Sequence, residues 1–164
     1  MQIRVITEND IKQVQDFLMK HLVELFNSDG QAAVTDDVWG LKESYVLPER
    51  NNMWGAYDES GELLGTIAIA QYNGRIEPLK GRYDLFTTAE IGRCYINENM
   101  RRKGIGKLLL DKAVEFCVDK GYKTIYLHTH HFLPGGYNFW QKNNFSVVLD
   151  EGGSYEIVHM EKNI

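Results

Sequence analysis

The chain has 164 residues, 43% of them hydrophobic, 12% aromatic and 25% charged, with a net charge of −5 at neutral pH. That length suits one domain, residues 1–164, with a core large enough to need no disulfide or metal staple. The acidic balance speaks against a nucleic-acid partner, no apolar run approaches the roughly 20 residues of a membrane span, and MQIRVITEND lacks the apolar core of an export signal.

In chain order, IRVI at 3–6 reads as a short strand. Thr7 and Asp10 form a capping-box-like start to a helix whose apolar face is Ile11, Val14, Phe17, Leu18, Leu22 and Leu25. A second, weaker helix is expected over Val38–Tyr45, stopped by Pro48. NMWGAY and ELLGTIAIA, separated by DESG, read as a hairpin. Residues 71–84 read as a loop, and 86–97 as a long strand. From Gly104 to Lys120, apolar residues at 105, 108, 109, 113, 116 and 117 predict a helix with one buried face, closed by Gly121. TIYLHT at 124–129 is a strand. Pro134 opens a helix running to about Asn143, and FSVVLD, a turn at EGGS and YEIVHM close the chain as a hairpin. This order predicts an α/β domain around one mixed sheet.

Two features bear on compartment and charge. Cys94 and Cys117 sit in apolar surroundings without metal-like spacing and read as reduced core thiols of a cytoplasmic protein. Residues 1–60 hold 11 acids and 5 bases, a net of −6, and the remainder 12 acids and 13 bases, a net of +1. The ordinary reading is a solvated acidic surface. The functional one is a cationic substrate in the N-terminal part and an anionic ligand in the C-terminal part.

The stretch NMRRKGIGKLLLDK carries the chemistry. A strand, a glycine bend and a helix start offer unpaired amides and a positive helix end to an anion, and Arg101, Arg102 and Lys103 add charge. The natural guest is phosphate or pyrophosphate. A Walker loop fails for want of Ser or Thr after Lys107, and a dinucleotide fingerprint fails at Leu109.

What remains, Arg101-x-x-Gly104-x-Gly106, resembles the coenzyme loop of the GNAT superfamily of acetyl-coenzyme A-dependent N-acetyltransferases, which reads Gln or Arg, two residues, Gly, one residue, Gly or Ala. Its setting fits that resemblance. Cys94-Tyr95-Ile96 ends a strand before the loop, a strand at 124–129 follows the helix, and GYNFWQKNNF at 136–145 is similar to a characteristic C-terminal segment of the family. The resemblance implies a mixed, mostly antiparallel sheet of six or seven strands with about four helices, two strands splaying to admit acetyl-coenzyme A. It implies that amides of Arg101, Arg102, Lys103, Gly104, Ile105, Gly106 and Lys107 hold the pyrophosphate. Charge from Arg101, Arg102 or Lys103 would reach the ribose phosphate. The pantetheine arm would lie along Cys94, Tyr95 and Ile96.

The resemblance also implies a reaction: direct attack of a primary amine, of a small molecule or a peptide, on the thioester in a ternary complex. Ile96 N–H is the candidate oxyanion donor. Glu90, six residues earlier and on the same face of the strand, is the candidate base; Asp84 and Tyr83 are lesser ones. Many relatives carry a Tyr general acid where this chain has Trp140, and an indole gives up no proton at useful pH. Tyr137, one helical turn earlier, is the substitute acid, and Trp140 is expected to pack on the pantetheine. Leu133 stands where many relatives carry an Asn. HTHH at 128–131 puts His128 and His130 on one strand face but does not complete a metal site; no metal is expected, and the histidines read as satisfied strand-end residues or, functionally, as one standing near the acceptor amine. The acceptor would be chosen by 21–52 and 71–88. The resemblance favours a homodimer. From a different class stands a coenzyme A-binding sensor that has lost catalysis; acylation of oxygen is a third option.

Overall fold

The computed structural model describes residues 1–26 and 35–164. Seven strands hydrogen-bond in the order β1-β2-β3-β4-β5-β7-β6: β1 (Gln2–Val5), β2 (Asn52–Tyr57), β3 (Leu63–Gln71), β4 (Thr88–Ile96), β5 (Thr124–His130), β6 (Ser146–Gly152) and β7 (Ile157–Asn163). The β4–β5 pair is parallel, while β1–β2, β2–β3, β5–β7 and β6–β7 are antiparallel. The helices are α1 (Ile11–Phe26), α2 (Asp36–Trp39), α3 (Ile105–Asp119) and α4 (Gly136–Lys142). The expected α/β class and mostly antiparallel sheet are therefore observed. No helix among the described residues is long and apolar enough to cross a membrane.

The chain gathers into two compact units. The first comprises 1–70 and 92–116. Its core joins Val14, Phe17, Leu18 and Leu22 of α1 to Met53, Tyr57, Leu63 and Ala68 of β2 and β3. β2 and most of β3 are buried on both faces, which is why NMWGAY and LLGTIAIA read as nearly continuous apolar runs. Ahead of α1, Asp10 accepts the Thr7 N–H at 2.8 Å and the Thr7 hydroxyl at 3.0 Å, so the capping box forms. Arg4 clamps the same carboxylate at 2.8 and 2.9 Å.

Three expectations in this unit change. The helix predicted over Val38–Tyr45 is a single α turn, bent at Gly40, then a π turn over Lys42–Val46 in which Leu47 N–H reaches Lys42 O at 2.9 Å. Along α3, Ile105, Leu109, Ala113 and Cys117 are buried as the spacing suggested, but Leu108 is 45% exposed and Leu110, at 2%, takes its place in the core. Arg93 takes φ = 50° within β4, so the alternation that would put residues 90 and 96 on one face does not run through the strand.

The second unit comprises 71–91 and 117–164. Tyr72, Leu79 and Tyr126 form a buried cluster with Ile76, Tyr83, Val148 and Leu149 against it. Gly135 takes φ = 73° and delays α4 to Gly136, so Pro134 belongs to the preceding turn rather than the helix. Glu156, with φ = 51°, likewise delays the last strand to Ile157.

Candidate functional site

The glycine bend lies wholly in the first unit. At the end of β4, Asn97 N–H donates to Leu64 O at 2.9 Å and its side-chain amide to Leu63 O at 3.2 Å, fixing where the strand stops. A short 3-10 turn over Glu98–Met100 follows. Arg102 (φ = 63°) and Gly104 (φ = 83°) are both left-handed, a backbone form that recurs in anion-binding turns. The first helical bond is Leu108 N–H to Gly104 O at 3.2 Å, so the amides of the turn before it point out of the helix end. A Cβ on Gly104 would meet nothing within 4 Å, so the space over the bend is open. The bend thus combines open space with exposed positive charge at Arg102 and Lys103.

The loop cations are not equivalent. Arg101 turns its Nε back to Ile96 O at 3.3 Å, and Lys107 pairs with Asp111. Arg102 and Lys103 are exposed. Of the three charges expected to reach a ribose phosphate, Arg101 is thus engaged with the strand.

The strand end is tightly built. A Cβ on Gly65 would sit 2.6 Å from Ile96 Cδ1 and 3.1 Å from Tyr95 O, so only glycine lets β3 and the end of β4 approach this closely. Tyr95 stacks on His21 with ring centroids 5.7 Å apart. Burial pushes the Cys94 thiol up to about 12, which leaves no thiolate for covalent catalysis at neutral pH. Asp37 holds Arg93 at 2.6 and 2.8 Å and accepts the Tyr45 hydroxyl at 2.6 Å, so this acid from the presumed acceptor region is a brace between α2 and β4. Residues 27–34 of that region lie outside the described residues.

In the second unit, Glu90 lies opposite Tyr126 in register. Both its oxygens are taken by Arg75, at 2.6 and 2.7 Å. Each oxygen keeps a second lone pair, so the carboxylate can still hold a water or an ammonium. His128 Nδ1 stands 3.9 Å from Glu90 Oε2, inside ion-pair range but outside hydrogen-bonding range. Burial, the largest influence, holds His128 below the ordinary imidazole range, Glu90 partly opposing it. The side chain is nevertheless 37% exposed, because it faces a concave pocket that admits water without fully hydrating the ring. Deeper in, Tyr126 O–H meets His159 Nδ1 at 2.7 Å and His159 Nε2 meets Glu151 Oε2 at 2.5 Å. A carboxylate accepts only, so Nε2 carries a proton.

The lesser base candidates have structural duties. Asp84 accepts the amides of Phe86 (3.0 Å) and Thr87 (2.9 Å), and Tyr83 donates to Glu161 at 2.7 Å. Tyr137 is half-buried on α4, its oxygen accepting from Gln141 at 3.0 Å, which leaves its hydroxyl hydrogen to donate. Trp140 is 6% exposed and packs edge-on against Phe139 and Phe145. Arg75, Glu151 and His159 escaped the sequence reading. The inward phase of YEIVHM was the only available signal for His159, and nothing local marks Arg75 as the partner of Glu90.

A profile of the Acetyltransferase (GNAT) family matches residues 16–145. Among curated proteins none matches the chain by sequence. Solved structures match over nearly the whole length. An acetyltransferase of the GNAT family from Staphylococcus aureus Mu50 is 17% identical, with a TM-score of 0.79 over 99% of this chain and 98% of that one. The PaiA N-acetyltransferase of Thermoplasma acidophilum, solved with coenzyme A, is 22% identical with a TM-score of 0.71 over all of both chains. An aminoglycoside 6'-N-acetyltransferase, also solved with coenzyme A, is 19% identical with a TM-score of 0.72 over 99% and 97%. At these identities the likeness is one of fold.

Proposed function

Because the chain belongs to the GNAT acetyltransferase family, we propose that it moves the acetyl group of acetyl-coenzyme A to a primary amine by direct attack, as one catalytic domain spanning residues 1–164. The observation that carries this reading is the bend at 101–107: two left-handed residues, an open approach over Gly104 and the free amides of the α3 start. The backbone there would hold the pyrophosphate, with Arg102 and Lys103 the charges free to reach a further phosphate. The pantetheine arm would follow Cys94–Ile96, and Trp140 would bear on it through packing alone.

In the proposed reaction the amine gives up a proton, attacks the thioester carbon and displaces the coenzyme as a thiolate that is then protonated. Ile96 N–H is the proposed donor to the oxyanion. Glu90 is the proposed carboxylate of proton removal, acting through a water or ammonium on its remaining lone pairs. Tyr137 is the proposed proton donor to the thiolate, in competition with water, since a thiol pKa near 8.5 makes unassisted departure tolerable.

Calorimetry with coenzyme A, followed by thiol release from acetyl-coenzyme A with a mixed panel of amines, tests the proposal. Binding with amine-dependent release supports it. Binding without release from any amine would instead support the sensor reading, and no binding would remove both.

A further inference from the structure

The second unit contains a pocket of about 220 Å³. Ile76, Pro78 and Ile157 line it together with polar and charged side chains. Four charged side chains line or border it. Arg75 is cancelled by the carboxylate of Glu90, which grips it at both oxygens. Glu77 has only a distant partner, exposed Lys80 at 3.9 Å. Glu151 is held at the wall by His159 Nε2–H at 2.5 Å. Glu77 and Glu151 thus bring two carboxylates to a pocket that Ile76, Pro78 and Ile157 also line.

One acceptor in this pocket is unused. The chain has five histidines. His21 bonds Phe17 O, His130 bonds Tyr155 O, His131 bonds Asp150 and His159 is bonded at both nitrogens. Among the described residues, His128 alone makes no hydrogen bond through its ring. It faces Glu90 and Arg75 across the β4 side, His159 from β7, and Tyr126 and His130 along its own strand. An imidazole without a ring hydrogen bond, lining a pocket that also holds two carboxylates, is complementary to a group that donates hydrogen bonds and carries positive charge.

We propose that this pocket binds a primary ammonium group, with His128 accepting one of its N–H bonds, Glu77 and Glu151 supplying the attraction, and Ile76, Pro78 and Ile157 covering a short apolar body. The inference deepens the acetyltransferase reading, on which it rests for its meaning: the pocket is the acceptor subsite, and His128 orients the amine there. The substrate class is accordingly a small primary amine with an aliphatic stem, rather than an anionic or zwitterionic one. A carboxylate on the substrate would meet Glu77 and Glu151.

The test is direct binding, independent of turnover. The His128 Cε1–H resonance is followed by NMR during titration with hexylammonium at neutral pH, with hexanol and hexanoate as controls. Assignment comes from loss of the resonance in His128→Gln. A saturable shift with hexylammonium alone is expected. A Glu77→Gln, Glu151→Gln double variant that keeps its fold should weaken the binding at least tenfold. Acidifying through the His128 titration should abolish it, since an imidazolium repels the ligand. Equal shifts with hexanol, or no shift with hexylammonium, would overturn the site. Thiol release is measured separately: if hexylammonium binds but no amine supports release, the acetyl-transfer reading fails while the ammonium site stands.

Discussion

Arg75 grips both oxygens of Glu90, Nη1 to Oε1 at 2.6 Å and Nη2 to Oε2 at 2.7 Å, so the carboxylate that sequence position offers as a base is already half of an ion pair. Such a group orients and relays better than it abstracts. Glu90→Gln keeps the shape and removes the charge. Turnover should fall by 10²–10⁴-fold at neutral pH if proton removal passes through it, recover in part at high pH, and leave coenzyme affinity unchanged. His128→Gln measured beside it assigns the proton acceptor. If His128 is the acceptor, its removal flattens the acidic limb of kcat/KM, whereas in Glu90→Gln the limb persists.

Gly104 stands at φ = 83° over open space. Gly104→Val should cost about 1–2 kcal/mol of stability through backbone strain and weaken coenzyme A binding at least tenfold by filling the approach to the amides. Gly121, at φ = 81° and equally uncrowded, is the control. Gly121→Val should show the strain in thermal melts while leaving the calorimetric affinity intact.

Gly65 lies where a Cβ would press Ile96 Cδ1 at 2.6 Å and Tyr95 O at 3.1 Å. Gly65→Ala should destabilise by about 1–3 kcal/mol, as overpacking does, and urea titration would register it as a lower midpoint at unchanged slope. Pairing it with Ile96→Ala should return part of the loss, because the side-chain half of the clash is then removed.

Asp10 is pulled down to about 2, first by its hydrogen bonds to Arg4, then, against the opposing effect of burial, by Thr7. Its folded pKa is below its unfolded one, so the stabilisation is complete above pH 4 and disappears as pH falls from about 4 to 2. The amount is about 1–2 kcal/mol once the half-open Arg4 side of the pair is discounted for solvent. Asp10→Asn should lower stability at pH 7 and flatten the acid side of the stability curve.

Tyr137 offers a hydroxyl hydrogen and Trp140 offers none that can be transferred. If the thiolate leaves with help, the wild-type rate falls at high pH and Tyr137→Phe removes the fall. If it leaves unassisted, Tyr137→Phe is nearly silent and the rate plateaus. The second outcome is the expected one. Trp140→Phe should act through lost packing, seen as a lower melting temperature and weaker coenzyme A binding rather than a changed pH profile.

The parts of this molecule legible in the sequence are those governed by short-range periodicity. The apolar spacing of α1, the Gly121 stop of α3 and the DESG hairpin turn are all written within a few residues, and so is the glycine bend. What escaped depends on backbone exceptions and on distant pairing. Arg93 and Glu156 adopt left-handed conformations without being glycine, so neither the break in β4 nor the late start of β7 is marked by residue type. Arg75 meets Glu90, and His159 meets Tyr126, across separations that no local pattern encodes. The site was therefore visible where it is made of backbone and hidden where it is made of side-chain partnerships.

The three tryptophans equip the molecule as an optical instrument. Trp54, 5% exposed and edge-on to Phe116, belongs to the first unit; Trp140, 6% exposed against Phe145, belongs to the second. Trp39 on α2 is 61% exposed, so acrylamide should quench it selectively and strip its red-shifted emission from the spectrum. What remains is one buried chromophore per unit. A Trp39→Phe background carrying either Trp54→Phe or Trp140→Phe would thus let fluorescence time the melting of each unit on its own.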